Sequence, residues 1–581
     1  MNQRIELVPD NEPANRRARA EAFRRISWPV NLIPASVDYV SHGHALLLGN
    51  ERDVRHAART LGDSRLASLT LLFTEPLDGT SDDDDDDAAL LDATRHLTSH
   101  ALTAAQARTL RLDGHLGRFA ASIEQEGERL DLARGLAGRE HFDCVLDLGE
   151  RPALPLELPP PGYVATRRDA PDQARRLEAF AELVGEFDKP RYFQVDAGLC
   201  AHSANGNTGC TRCLEVCPAD AVASHQGRID AWIEIDPFRC HGVGSCSSAC
   251  PTGAIQFRQP ETQRQQATLA AWLDAYRAAG GTAPVVRFAT ADYLHDEHRD
   301  DVSRDGDDAP AGHVLDVPLE ELGAAGHDQW LTALAAGAAE VRIQSHPGMP
   351  PRLARFIDEE LARARGLLAA LGHAPERVAC LAVGDTAARD ALPRHAVLTT
   401  EPLTLDCDGK RERLDQVLER LSALGEPSSE RQALPPGSAY GGLAVDTGAC
   451  TLCMACVASC PTPALAAGSD SPELSFREAD CVQCGLCADA CPEDAIRLVP
   501  GFLADAACRE RRVCHAEAPF ACIRCGKPFA TASAIATIKA KLADHPRFAG
   551  EASARLEMCE DCRVRDIWHT LARDPESQLK V

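Results

Sequence analysis

Apolar residues fall into two patterns along this chain. Short, mostly apolar runs, the mark of strands buried on both faces, occur at 45–49, 68–73 and 142–148, and again at 284–288 and 377–383. Between them lie stretches with a helical period: 86–100 and 117–138 in the first group, 262–278 and 352–371 in the second. Strands alternating with helices predict α/β layers built on parallel sheets. Two such domains are expected, at 37–165 and 261–424. The first is expected to end at the stiff connector Pro159-Pro-Pro-Gly162. A helix over 170–184 then leads onward. Residues 425–442, rich in Pro, Gly and Ser, read as a linker. Residues 1–36 read as a polar tail with a short helix over 16–25. Gly114-His-Leu-Gly117 is too short for a phosphate loop and reads as a turn. Cys144, inside an apolar run, reads as a buried core thiol.

Length and composition narrow the class. A chain of 581 residues predicts roughly three to five domains. The formal charge of −26 argues against a nucleic-acid partner, whose phosphates would be repelled. The acidic run Asp82 to Asp87 reads as a solvated loop. No apolar run is long enough to insert in a membrane. Arg24-Arg25-Ile-Ser-Trp-Pro resembles a twin-arginine signal, but Pro29, Asn31, Pro34 and Asp38 break the apolar stretch that should follow. A cytoplasmic protein is expected.

The 24 cysteines are grouped in metal-ligand spacings, not scattered as in a secreted disulfide framework. One run reads Cys450-Thr-Leu-Cys453-Met-Ala-Cys456-Val-Ala-Ser-Cys460-Pro. It repeats as Cys481-Val-Gln-Cys484-Gly-Leu-Cys487-Ala-Asp-Ala-Cys491-Pro. An earlier pair of runs is less regular. Cys200 is followed, after a nine-residue gap, by Cys210, Cys213 and Cys217-Pro. Cys240 is followed by Val243, Cys246 and Cys250-Pro.

These runs resemble the two-cluster bacterial ferredoxins, whose C-x₂-C-x₂-C-x₃-C-P motif holds iron–sulfur clusters through thiolates. In that family the cysteine before proline ligates the other cluster. The resemblance implies ferredoxin-like modules at 189–260 and 441–503. In the second, Cys450, Cys453, Cys456 and Cys491 would hold one cluster, and Cys481, Cys484, Cys487 and Cys460 the other. In the first, Cys200, Cys210, Cys213 and Cys250 form a complete set. Cys240, Cys246 and Cys217 form an incomplete one, because Val243 cannot ligate iron. Three [4Fe–4S] clusters are expected. The incomplete set suits a [3Fe–4S] cluster. A four-iron cluster completed by water or His241, or an empty site, are the alternatives.

The tail at 504–581 carries a different pattern, Cys522-Ile-Arg-Cys525-Gly and Cys559-Glu-Asp-Cys562. Two such pairs suit a four-thiolate Zn²⁺ site. Rubredoxin-like iron is the rival, although Arg563 stands where the second knuckle would carry glycine. Between the pairs, 533–542 reads as a helix, while Cys508 and Cys514 lack partners at motif spacing. The expected fold is thus α+β and multidomain: two ferredoxin-like modules interleaved with two α/β domains, plus a C-terminal four-cysteine domain of zinc type.

Two further resemblances bear on function. Residues 329–343 and 367–378 are similar to the delta-subunit domain of methyl-viologen-reducing hydrogenases. Only Cys380 and Cys407 lie between the modules, so no ligand carries over. That likeness implies a docking scaffold; a plain spacer is the alternative. The layout, with Gly209-Cys-Thr-Arg-Cys-Leu-Glu-Val-Cys-Pro and Cys522-Ile-Arg-Cys-Gly-Lys-Pro-Phe-Ala, resembles long ferredoxin-type proteins accompanying formate-dehydrogenase-like enzymes. It implies such an enzyme as redox partner. No nucleotide loop or open metal site with a placed base is evident, so a non-catalytic electron carrier or oxidoreductase subunit is expected. An assembly or redox-sensing factor is the second reading.

Overall fold

The computed structural model describes residues 12–573, apart from 30–34, 78–83, 203–208, 229–230, 259, 296–310, 470, 544, 546–547 and 549. Mixed helix and strand form several layered units. The first is a five-stranded parallel sheet. Its strands run, in spatial order, Thr98–Ala101, Ser68–Glu75, His44–Asn50, Cys144–Leu148 and Tyr163–Ala165. Alternate residues of the central strand serve opposite faces, as the pleat requires. Ala45 and Leu47 meet the helices Glu51–Leu61 and Gln173–Ala181, through Val54, Ala58, Leu177 and Phe180. Leu46 and Leu48 meet Phe119, Ala121, Ile123 and Phe142. Cys144 is fully buried in this sheet.

That second face corrects the sequence reading. Residues 117–138 are not one helix. They form the strands Ala120–Gln125 and Glu128–Asp131, followed by the short helix Leu132–Ala137. Glu126 and Gly127 both have left-handed backbone, at φ 54° and 84°, and turn the hairpin. The Pro159–Gly162 connector leads into one more strand, within the expected bound at 165. The strand Tyr163–Ala165 follows it at once and joins the sheet edge. Residues 98–101, within a stretch read as helical, form the opposite edge strand.

The acidic run is also more than a solvated loop. Asp82 and Asp83 lie outside the described residues, but a helix begins at Asp84. Asp87 is buried and forms a two-point ion pair with Arg52, at 2.8 and 2.6 Å.

The middle domain is a four-stranded parallel sheet, in the order Val314–Leu319, Val285–Thr290, Glu340–Ser345 and Val378–Ala382. Four helices pack with it: Thr262–Ala278, His327–Ala335, Pro351–Ala370 and Lys410–Ala423. His327–Ala335 is buried all round, so its apolar residues show no stripe. The core continues without a break into the first cysteine module, where Cys213, Cys246 and Ile255 belong to the same cluster as Leu322, Trp330 and Leu353.

Each module repeats one plan. Short antiparallel pairs, Phe193–Val195 with Ile255–Phe257 and Gly441–Val445 with Ile496–Pro500, close the ends. Two short helices follow the cysteine loops in each: Arg212–Glu215 and Ser245–Ala249 in the first, Ala455–Ser459 and Leu486–Asp489 in the second. The linker is pinned in place. Gln432 bridges Phe502, and Arg431 pairs with Glu478 at 2.6 Å. No helix among the described residues is long and apolar enough to cross a membrane.

The expected polar tail holds a helix, Glu12–Arg25, that packs on Thr262–Ala278. Its polarity hides a small-residue contact face, with Ala18 and Ala22 wholly buried. Trp272 anchors it. Phe23 and Trp28 lie against its ring at 4.7 and 5.0 Å between centroids, and its indole Nε1 donates to the Ile26 carbonyl at 2.7 Å. Trp272→Ala is expected to cost about 3–5 kcal/mol of stability, read as an earlier midpoint in denaturant unfolding. An unchanged midpoint would show that this segment adds nothing to the fold.

Candidate metal centres

The cysteine loops owe their shape to left-handed residues. Leu452 and Met454 have φ 52° and 61°; Gln483 and Gly485 have φ 52° and 87°. These residues flank the second cysteine of each run and curl the chain around a common centre. Gly242 and Gly244, at φ 75° and 91°, repeat the pattern around Val243. Val243 therefore occupies the backbone position that Cys484 holds in the second module.

In the second module, Cys450, Cys453, Cys456 and Cys491 line one pocket, walled by Leu474 and Ile496. Burial pushes the Cys456 thiol up to about 11, with further increments from Cys453, Cys450 and Cys491. Cys487 is pushed up to about 12 by burial and by Cys481, Cys484 and Cys460. Cys460 thus lies among the thiols of the other run.

The first module is arranged likewise. Burial raises the Cys213 thiol, and the next contributions come from Cys250, Cys210 and Cys200. Burial raises Cys246 strongly, followed by Cys240 and Cys217. Part of the nine-residue gap, 203–208, lies outside the described residues.

Thiols so buried do not ionise unaided. A metal cluster supplies the missing positive charge, and N–H donors aimed at sulfur add to it. Ala221 N donates to Cys217 Sγ and Ala495 N to Cys491 Sγ, both at 3.3 Å, in each case from the residue four beyond a cysteine that precedes proline. The donor set and the cavity fit iron–sulfur clusters, which take thiolate ligands and hydrogen bonds at sulfur.

His241 is turned to another task. Its Nε2–H donates to the Pro159 carbonyl at 2.9 Å. Val243 is buried beneath the middle domain. A side chain on Gly244 would collide with Ala324 backbone, and a Cβ on Gly323 would lie 2.7 Å from the Val243 carbonyl oxygen. These glycines, and the arginine between Cys210 and Cys213, were missed in the sequence. The arginine was legible from its place between two expected ligands. The glycines were not, since their role depends on a distant segment.

In the tail, a hairpin of Pro519–Ala521 and Pro528–Thr531 presents Cys522 and Cys525 to the start of the helix Glu560–Arg573. The sulfurs of Cys522, Cys525, Cys559 and Cys562 all lie within 4.8 Å of one another. Four thiolates around zinc stand roughly 3.8 Å apart, so the group can hold a metal. The helix 533–542 expected between the pairs is present as Ala532–Lys541. The tail is docked on the second module. Thr531 Oγ1 donates to the Thr451 carbonyl at 3.1 Å, and Lys541 pairs with Glu493 at 2.6 Å.

Comparison with known families matches residues 183–254 and residues 449–496, each to a 4Fe-4S dicluster domain. The chain thus carries two iron–sulfur domains of the 4Fe-4S dicluster type. The matches cover the two modules and not the α/β layers. Comparison with curated proteins finds no match.

Cys559→Ser is expected to release the tail's metal, read by elemental analysis, while leaving the visible iron–sulfur absorbance of the full chain unchanged. Bleaching of that absorbance in step with metal loss would show that the tail site is not independent of the modules.

Proposed function

We propose that this chain is a cytoplasmic multi-cluster electron carrier, or an electron-transfer subunit of an oxidoreductase, holding three [4Fe–4S] clusters, one [3Fe–4S] cluster and a tail Zn²⁺. The two 4Fe-4S dicluster domains support the iron–sulfur electron-transfer role itself. The observation that carries the finer reading is the second module's cavity, lined by four cysteines drawn from both of its runs. When bound, such clusters supply one-electron redox chemistry. The chain's own residues bury most of the thiolates and direct N–H groups at sulfur.

The three-iron reading at Val243 rests on ligand count and closure. The corner that a cysteine would hold carries a valine. His241 is engaged with Pro159, and Gly323 and Ala324 cover the position. These contacts support a site with three thiolates and no fourth ligand from Val243. The redox partner proposed is a formate-dehydrogenase-like enzyme, on the resemblance of the layout alone.

Anaerobic purification of the full chain should yield about fifteen irons per chain and, when oxidised, the paramagnetic resonance signal of a three-iron cluster. Val243→Cys should convert that site to a four-iron cluster and abolish the signal. Absence of the signal in wild type, with no iron gained by the variant, would overturn the three-iron assignment. Clusters that fail to cycle with any dehydrogenase, alongside a stable client complex, would favour the assembly-factor reading.

A further inference from the structure

The first module meets the second where Arg212 reaches the Gln483 carbonyl. Arg212 begins the helix that follows Cys210 and Thr211. Its Nη1 donates to Cys210 Sγ at 3.3 Å, and its Nε to the Gly437 carbonyl at 2.7 Å. Its Nη2 reaches the carbonyl of Gln483, in the second module, at 3.5 Å. One guanidinium therefore joins an expected ligand of the first module, the linker, and a ligand loop of the second.

Gln483 answers from the other side. Its Nε2 donates to Cys481 Sγ at 3.4 Å and to the Gly442 carbonyl at 3.0 Å. The surfaces between are closely packed: a Cβ on Gly209 would lie 3.0 Å from the side chain of Leu486, which is itself buried between Cys484 and Cys487. Through Arg212, and through the close approach of Gly209 to Leu486, the loop of Cys210 faces the loop of Cys481 and Cys484.

We propose that Arg212 and Gln483 are a pair of seam residues that set the reduction potentials of the two facing clusters, Arg212 acting on the cluster of Cys210 and Gln483 on that of Cys481. The physical reason is charge. A cluster gains one negative charge on reduction, so donors aimed at its thiolates favour the reduced state and raise the potential. The cationic donor acts more strongly, since charge-assisted hydrogen bonds are about twice as strong as neutral ones. The Arg212 side chain also ties the seam, through the Gln483 carbonyl, which keeps the facing sites at a fixed separation. This inference rests on the electron-transfer reading above.

The test is a redox titration of the full chain followed by paramagnetic resonance. Arg212→Gln should shift one cluster to lower potential and leave the others in place. Gln483→Met should shift a different cluster, in the same direction and by less. Arg212→Lys, which keeps the charge, should restore most of the first shift. A purely structural role would predict loss of iron without a selective shift. The inference is overturned if both variants move the same cluster, or if neither moves any midpoint. Should Arg212→Gln fail to take up iron, the Gln483→Met result decides alone. If wild-type clusters accept no electrons, it is the electron-transfer reading that fails.

Discussion

Two positive charges at the start of one helix fix how the iron–sulfur modules sit. Lys410 Nζ donates to the carbonyls of Ser247 and Ser248 in the first module, at 2.9 and 2.8 Å. The next residue, Arg411, donates to the carbonyls of Ala479 and Cys481 in the second, at 2.8 and 3.0 Å. Burying an ammonium costs several kcal/mol unless it is paired. The carbonyls and the buried Asp328 carboxylate, 3.7 Å from Lys410, offset that cost. Gly253, at φ 75°, allows the approach: a Cβ there would lie 2.8 Å from Lys410 Cβ. The middle domain thus acts as a clamp, and the seam at Arg212 exists because the clamp holds both modules to it.

A second tie runs through Tyr440, the last residue before the second module's first strand. Its hydroxyl lies 2.7 Å from His327 Nε2, and His327 Nδ1 lies 2.5 Å from Glu360. Burial works against the Glu360 carboxylate, yet the charges of His327 and Arg363 hold it down to about 2. A charge so paired contributes stability above the ordinary carboxylate value and loses it as pH falls toward 2. The linker therefore ends in a buried polar network whose members are held by both of the elements it connects.

The cysteine modules and the parallel strands were legible in the sequence because their signals are local. Ligand spacing is fixed by how a loop wraps a centre, and a doubly buried strand reads as a continuous apolar run. The helices at 262–278 and 352–371 were legible for the same reason. The hairpin within 117–138 was not. Its Phe119 and Ile123 stand four apart, as on one helix face, while Ala121 and Ile123 alternate as in a strand, and only packing against Leu46 and Leu48 decides between them. Asp87 looked solvated because Arg52, its partner, stands 35 residues earlier. The helix Glu12–Arg25 is polar along most of its length, and its buried face becomes visible only when Trp272 is placed beside it. The seam likewise joins residues 271 positions apart, from Arg212 to Gln483.

Exposure divides the ends of this arrangement. Cys240, Cys246 and Val243 are buried, and the middle domain lies over Val243. Cys453, by contrast, is exposed, as is Cys525 in the tail docked alongside it. Solvent and local charge both tune a cluster's potential. Water can act at Cys453 and is kept from Val243, so module geometry alone makes the two ends unequal even where the ligand loops share one backbone shape. The valine adds to this asymmetry by removing one thiolate, and hence one negative charge, from the enclosed end. Fewer anionic ligands make an added electron easier to hold, whereas burial in apolar surroundings makes it harder. The two effects oppose each other at Val243, and the Ala221 N–H donated to Cys217 Sγ acts on the side of the added electron.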